Sequence, residues 1–129
     1  MNRVLVALAL LTLSCHGPTD PDVATRLHGR LSGVVNIGPN CPGPQQPCPT
    51  PPSAYALRKV LVYNESRSRL LFTVDIDSQG AYFIDLPPGS YIVDLQRSGI
   101  DTTKDLPKNA VIRANLVTRI DINIDTGIR

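Results

Sequence analysis

The sequence has no tryptophan, two histidines and one glutamate, and each scarcity excludes a class of fold or site. An antibody-type immunoglobulin core packs a tryptophan against its inter-sheet disulfide, so this chain is not expected to form one. Two histidines without metal-ligand cysteine spacing exclude zinc-finger patterns. A single glutamate, Glu65, gives no indication of the paired carboxylates that cleave glycosidic bonds. We therefore predict no cofactor and no metal.

The chain also lacks a strong charge of either sign. Thirteen lysines and arginines against eleven acidic residues leave a net charge of +2. DNA-binding modules usually concentrate basic residues on one face, so no nucleic-acid partner is predicted. Arg58, Lys59, Arg67 and Arg69 flank two predicted strands and form either a small basic patch or scattered solubilising charge, which is the default.

No apolar run is long enough to span a bilayer, which takes roughly 20 residues. The longest, residues 4–14 (VLVALALLTLS), follows the positive Arg3. A short positive segment followed by an apolar core of this length is typical of a signal peptide. Residues 1–14 are therefore predicted to direct the chain out of the cytoplasm and to be removed.

The end of this run, residues 11–15 (LTLSC), resembles the lipobox of bacterial lipoprotein signals. Ser14 matches the small residue that precedes the cysteine in that family, while Leu11 lies one position earlier than the family's usual leucine. The resemblance implies cleavage before Cys15 and lipidation of that residue. Several acyl chains on one residue anchor a protein stably to a membrane. The alternative is an ordinary secretory signal in which Cys15 is incidental.

Residues 15–25 follow as a polar segment with two prolines and no hydrophobic periodicity. They are predicted to be a tether that holds the remaining chain, residues 26–129, away from the bilayer. The membrane, reached through lipid on Cys15, is thus one predicted partner. The expected location is the bacterial cell envelope, outside the cytoplasm.

Residues 26–129 contain short bursts of period-2 alternation separated by Gly, Pro, Asn and Asp, and no convincing helical stripe. The predicted strands are residues 27–37, 59–64, 69–76, 81–86, 90–96, 109–116 and 120–125. In the last of these (IDINID) one face is apolar and the other polar, as in an antiparallel sheet that is buried on one side. The fold class is therefore all-β, a seven-stranded antiparallel Greek-key β-sandwich, with a closed barrel as the alternative.

Residues 75–91 (DIDSQGAYFIDLPPGSY) resemble the carboxypeptidase regulatory-like domain. That family shows an acidic residue, a short turn and then Leu-Pro-Pro-Gly-x-Tyr, and the likeness extends over residues 33–99. It implies a transthyretin-like, seven-stranded sandwich. It also implies a non-catalytic role, because this domain accompanies the enzyme of that family and lacks its zinc ligands.

The turn chemistry of this stretch agrees with two hairpins. Asp77 and Gly80 suit the first and last positions of a type I turn, with Gly80 at positive φ. Pro87, Pro88 and Gly89 cannot continue a strand ladder, because proline lacks the amide donor, so a turn is predicted there as well.

The same stretch also matches half of a calcium-binding loop. Asp75, Asp77, Gln79 and Gly80 occupy the expected spacing, but the position that needs a bidentate glutamate is Leu86. The hairpin interpretation is therefore preferred over calcium binding.

An enzymatic function is the weakest hypothesis. His28 lies in the first predicted strand, and no serine has the flanking residues of a nucleophile elbow. A cleft in which His28 meets carboxylates would be the feature that favours an enzyme.

Residues 38–53 (GPNCPGPQQPCPTPPS) hold seven of the twelve prolines. Such a segment excludes regular helix and strand and favours polyproline II backbone and turns. With Cys15 lipidated, Cys41 and Cys48 form an even pair in an oxidising compartment, so we predict a disulfide between them. Two free thiols in a floppy linker are the alternative.

The closed loop either simply prevents fraying or serves recognition, since a preorganised loop loses less entropy on binding. The expected function is a non-catalytic, membrane-anchored module for a protein or glycan ligand that the sequence does not identify. The alternative is an accessory subunit that docks on a larger envelope complex by an edge strand or by the Cys41–Cys48 loop.

Overall fold

The computed structural model describes residues 27–44 and 48–129. The predicted signal peptide (1–14), Cys15, the tether (15–25) and residues 45–47 of the proline-rich loop lie outside the described residues. Within the described ranges, no helix is long and apolar enough to cross a bilayer. The elements are β1 (Gly29–Gly38), α1 (Pro52–Ala56), β2 (Lys59–Asn64), β3 (Leu70–Asp75), β4 (Ala81–Leu86), β5 (Gly89–Gln96), β6 (Lys108–Ile112), β7 (Val117–Arg119) and β8 (Ile122–Asp125).

These strands form two sheets, which confirms the all-β, two-sheet prediction and is consistent with a β-sandwich. In the first sheet, β1 is central and pairs with β4 on one side and with β7 and β8 on the other. The second sheet has the order β3-β2-β5-β6 and is antiparallel throughout. Greek-key connectivity and transthyretin likeness remain predictions.

The prediction that all strands run antiparallel is wrong for β7 and β8, which pair with β1 in parallel. The reason lies in the turn at residues 113–116, which carries the chain from β6 to the first sheet. The Asn115 amide donates to the His28 carbonyl at 2.9 Å, and the Arg30 amide donates to the Leu116 carbonyl at 2.9 Å. The turn therefore delivers β7 to the start of β1, and both strands then run in the same direction.

The predicted sixth strand, residues 109–116, ends early at Ile112 for the same reason. Leu116 donates its amide to the Arg113 carbonyl at 3.2 Å, and Asn115 has a positive φ of 61°. A left-handed residue inside a bonded turn cannot continue a strand ladder.

The predicted last strand, residues 120–125, begins only at Ile122, as β8, and β7 (Val117–Arg119) forms in residues that no predicted strand covers, so the described residues hold eight strands rather than seven. At the break, the Val34 amide donates to the Asp121 side chain at 2.9 Å, and the Tyr82 hydroxyl donates to the Ile120 carbonyl at 2.6 Å. At this break, hydrogen bonds from side chains thus replace the backbone hydrogen bonds that would pair the strands. A Cβ on Gly33 would lie 1.9 Å from the Ile120 carbonyl oxygen, so only glycine permits this close approach.

The prediction that residues 38–53 exclude regular helix is wrong at the end of that segment, because a short helix, Pro52–Ala56, begins there. Pro52 stands in its first turn, where the missing amide donor has no intrahelical partner to lose. Its burial depends on one side chain, Tyr55, which is 8% exposed.

The core lies between the sheets and is built from the inward-facing positions of almost every strand. It contains few aromatic rings, and its largest fully buried side chains are aliphatic. These are Leu31, Val35, Val60, Val62, Leu86, Val93, Ile112 and Ile122.

One strand, β1, runs the length of the sandwich and defines its two ends. Its 10 residues span roughly 30 Å at the usual rise per residue. We call the end at Leu27 and His28, with the turns at 65–69, 87–88 and 113–116, the N-terminal end. The opposite end, which we call the stapled end, carries residues 39–58, the turn at 77–80, the segment 97–107 and the last residues, 126–129.

Candidate functional site

The stapled end is built around a disulfide between Cys41 and Cys48, which confirms the predicted bridge. Their Cα atoms are 6.2 Å apart, and seven sequence positions separate them. On the far side of the bridge, Pro51 has φ −71° and ψ 148°, which are polyproline II values. The loop thus bends at residues 41–44, where Gly43 has a positive φ of 77°, and has extended backbone at Pro51.

Hydrogen bonds lock the base of this loop to the end of β1. The Asn40 amide group donates to the Ile37 carbonyl at 3.0 Å and to the Thr50 hydroxyl at 2.8 Å, and that hydroxyl donates to the same carbonyl at 3.0 Å. The Thr126 amide donates to the Gly38 carbonyl at 3.1 Å. The beginning of the loop, its end and the C-terminal segment are thus all hydrogen-bonded to the last residues of β1.

The helix α1 joins the loop to the turn at residues 77–80. The Tyr55 ring packs against Gly80, where an added Cβ would lie 3.0 Å from the ring. Gly80 has a positive φ of 87°, and its carbonyl accepts from the Val35 amide at 2.7 Å. Loop, helix, turn and β1 are therefore packed as one unit.

A buried ion pair lies below the helix. The Arg58 guanidinium holds Asp101 with two parallel hydrogen bonds, Nε to Oδ2 at 2.7 Å and Nη2 to Oδ1 at 2.9 Å, and donates from Nη1 to the Ala54 carbonyl at 2.7 Å. Arg58 is 6% exposed and Asp101 is 5% exposed. Burial alone would raise the pKa of Asp101, but the bonds from Arg58 and from the Ser98 amide outweigh it and lower that pKa.

Above this ion pair lies an open groove of about 420 Å³. Pro51, Ala54, Ile100 and Ile128 are among its lining residues, and Ile100 is 74% exposed. Leu57, at the end of α1, is 62% exposed. The stapled end thus presents aliphatic and proline surface on a fixed polar base.

The residues that half-match a calcium-binding loop form hydrogen bonds and an ion pair within the protein. One carboxylate oxygen of Asp77 accepts from the Gln79 and Ala81 amides, each at 2.9 Å. Asp75 pairs with Lys59 across β2 and β3. Among the described residues, no group of His, Cys, Asp or Glu is arranged to hold a metal ion.

The structure places Pro87, Pro88 and Gly89 at the N-terminal end, far from the other predicted site residues. There the Tyr91 hydroxyl donates to the Pro87 carbonyl at 2.7 Å, and burial raises the pKa of Tyr91. This contact gives a physical reason for the spacing between the prolines and the tyrosine. Asp77, Gly80, Cys41 and Cys48 all belong to the stapled end.

A second groove, of about 450 Å³, lies at the N-terminal end and tests the enzyme hypothesis. It brings His28 together with one carboxylate, that of Asp85. Arg30 binds this carboxylate with two hydrogen bonds, at 2.7 and 2.9 Å, and lowers its pKa. Among the described residues that line this groove there is no serine, threonine, cysteine or lysine, so they offer His28 neither a second carboxylate nor a nucleophile.

The buried ion pair is the feature that the sequence did not indicate. Arg58 and Asp101 are 43 positions apart, and Arg58 was grouped with Lys59 and Arg67 as a candidate basic patch. All three are instead paired, with Asp101, Asp75 and Asp94 respectively. No local pattern links residues so distant in sequence, so only the folded chain reveals the pairing.

Comparisons with known proteins agree with the fold of this chain but identify no family and no function. No protein-family model matches the chain, and no curated protein matches it. The minor pilin GBS52 of Streptococcus agalactiae is similar in structure, with a TM-score of 0.53 and 12% identity over 76% of this chain and 44% of the pilin. The chain therefore aligns with less than half of that protein.

Two further solved structures are similar at a lower level. A DUF3823 family protein from Bacteroides ovatus gives a TM-score of 0.47 with 14% identity, over 74% of this chain and 44% of its own length. One from Parabacteroides merdae gives 0.46 with 13% identity, over 75% and 45% respectively. All three neighbours are β-rich.

Proposed function

We propose that this protein is a lipid-anchored module of the bacterial envelope, without catalytic activity, that binds a protein partner through its stapled end. The observation that carries this proposal is the course of β1. The described chain begins at one end of this strand, and the disulfide-closed loop follows directly from its other end. An anchor on Cys15 would therefore hold the N-terminal end toward the membrane and leave the stapled end toward the surroundings.

The anchor itself is supported by the sequence of residues 1–15 and by the disulfide. Disulfides persist in extracytoplasmic, oxidising compartments and are rare in the cytoplasm. The presence of the Cys41–Cys48 bridge therefore agrees with export of the chain.

The surface chemistry of the stapled end favours a protein over a glycan. Leu57 and Ile100 are exposed apolar side chains beside a rigid, proline-rich edge. Extended proline segments dock into aromatic grooves of partner proteins with little loss of entropy. The described residues of this end hold one aromatic side chain, Tyr55, and it is buried, so no ring is exposed there to stack on a sugar.

The comparison with solved structures supports the fold of the proposed module. The minor pilin shares this fold over 76% of the chain, at 12% identity. Membership of the carboxypeptidase regulatory-like family, which rests on residues 75–91, is part of the same proposal.

The anchor is tested by metabolic labelling with palmitate. The full chain is expected to take up label and to float with membranes, and Cys15→Ala is expected to lose both. Label retained in Cys15→Ala would overturn lipidation at that residue.

The partner surface is tested by photo-crosslinking in cells. A benzophenone amino acid at Leu57 or Ile100 is expected to give one discrete protein adduct, which the double variant Cys41→Ser/Cys48→Ser weakens. A matched position on the first sheet, Phe83, is 61% exposed and controls for random collision. No adduct at either stapled-end position, together with specific glycan binding by the purified protein, would overturn the protein partner.

A second candidate function is an accessory subunit that docks by an edge strand. Strand β3 is an edge of the second sheet, and its Leu70 and Phe72 are 45% and 40% exposed. Unpaired edges offer backbone groups to an added strand. An adduct at Phe72 that survives the cysteine substitutions would favour this candidate.

A further inference from the structure

An exposed apolar cluster lies at the N-terminal end, where the described chain begins. Leu27, Leu116 and Val117 are 57%, 56% and 66% exposed. The bonds from Asn115 to His28 and from Arg30 to Leu116 hold the turn at 113–116 against the incoming chain. The apolar side chains are thus presented from a fixed backbone rather than from independent loops.

Positive charge borders this cluster. Arg113, in the same turn, is exposed and has no ion pair within residues 27–44 and 48–129. The nearby carboxylate of Asp85 is already held by Arg30. The rim of the apolar cluster therefore has one arginine that no acidic side chain neutralises.

The chain outside the described region indicates what covers this surface. Eleven residues, 16–26, separate Cys15 from Leu27. At full extension they reach at most about 40 Å, comparable to the length of the sandwich itself. Lipid on Cys15 would hold the N-terminal end permanently within reach of the bilayer.

We infer that the N-terminal end rests on the bilayer that holds the Cys15 lipid, with anionic phospholipid as its partner. Leu27, Leu116 and Val117 enter the boundary between headgroups and acyl chains, and Arg113 binds lipid phosphate. Apolar side chains beside cationic ones are the usual composition of interfacial segments. This inference rests on the proposed anchor, and it deepens that proposal by assigning a fixed orientation to the domain.

The test uses the lipidated full-length chain in vesicles of phosphatidylethanolamine and phosphatidylglycerol at a ratio of 7:3. Leu116→Cys is labelled with the environment-sensitive dye NBD, while the disulfide protects Cys41 and Cys48. Ile100→Cys, at the stapled end, is the matched control because Ile100 is also apolar and exposed. We expect blue-shifted emission at position 116 and quenching by doxyl-labelled lipid roughly twofold or more above that at position 100.

Two further measurements use the same vesicles. Val117→Cys repeats the experiment should the label at position 116 disturb the turn. Arg113→Gln, or vesicles without phosphatidylglycerol, is expected to lower the ratio of membrane-resting to free domain about fivefold, since one arginine near an anionic surface is worth about that factor.

The outcomes separate this inference from the anchor. Vesicle flotation with aqueous, unquenched dye at positions 116 and 117 would retain the anchor and overturn the resting orientation. A blue shift without doxyl quenching would also overturn it, because residues 16–26 or a second copy of the chain would then cover the cluster. A chain that does not float would overturn the anchor and this inference together.

Discussion

The two ends of the sandwich are joined by the same strand but differ in how their surfaces are held. At the stapled end, a disulfide, a buried ion pair and a packed helix hold aliphatic and proline side chains on a rigid base. At the N-terminal end, the corresponding ion pair, Arg30 with Asp85, is about half exposed, and the apolar residues lie just before β1 and where the turn at 113–116 enters β7. The first arrangement suits recognition of one shape, and the second suits contact with a surface that has no fixed shape.

The largest expected effect comes from breaking the buried ion pair. Asp101→Asn should lower the free energy of unfolding by about 3 kcal/mol, because Arg58 would keep a buried charge without a carboxylate. The matched variant Asp85→Asn, in the exposed pair, should change it little. Urea denaturation of both variants measures the difference. Equal losses would show that the two ends do not differ in this respect.

The next effect comes from filling the packed turn at the stapled end. Gly80→Ala should cost roughly 3 kcal/mol, because it adds a Cβ 2.5 Å from the Val35 carbonyl oxygen at a positive φ. Gly99→Ala has a positive φ as well but open space around it, and should cost roughly 1 kcal/mol. Thermal unfolding compares the two. A larger loss for Gly99→Ala would contradict the close packing of Tyr55 on this turn.

Removing the staple should have a smaller global effect and a local signature. Cys41→Ser/Cys48→Ser is expected to lower the free energy of unfolding by about 2.5 kcal/mol, the chain entropy of so short a loop. Hydrogen exchange should accelerate at the backbone amides of Ala54 and Thr126, which are hydrogen-bonded beside the loop, and stay unchanged at that of Asn115. Acceleration at both ends would mean that the staple stabilises the whole sandwich rather than one end of it.

The smallest expected effect appears in acid. The lowered pKa of folded Asp101 stabilises the protein above the pKa of the unfolded chain, near 4, and this contribution is lost as pH falls through the folded value. Urea midpoints between pH 3 and pH 7 should therefore fall at the acidic end, and less steeply for Asp101→Asn. An unchanged slope in that variant would assign the acid sensitivity to other carboxylates.

The strands that could be predicted are those whose alternation and turn residues agree. Residues 59–64 and 81–86 are strands with the predicted bounds, because each lies between strong turn signals. The break between β7 and β8 could not be predicted, since the alternation of residues 120–125 begins inside the break, where the Asp121 side chain accepts a bond that a backbone group would otherwise make. The direction of these strands depends on the turn at 113–116, whose contacts with His28 and Arg30 are non-local.

Of the candidate site, only the disulfide-closed loop could be predicted from the sequence. Cysteine arithmetic and proline content indicated the stapled loop, because both act locally along the chain. The helix at Pro52–Ala56 is too short to show a periodic stripe, and it depends on the contact between Tyr55 and Gly80. The pairing of Arg58 with Asp101 depends on the fold that brings the two segments together.

The course of β1 has a mechanical consequence. A pull between the segment before Leu27 and the loop after Gly38 loads one continuous covalent strand, because both attachments continue directly from its ends. Such tension passes along the backbone of β1 without having to shear β1 from β4, β7 or β8. The disulfide joins the two sides of the loop within a few residues of Gly38. Covalent bonds rather than the hydrophobic core would therefore carry the force applied by a partner that holds the loop. The sandwich around β1 need not unfold for the molecule to bear force along its axis.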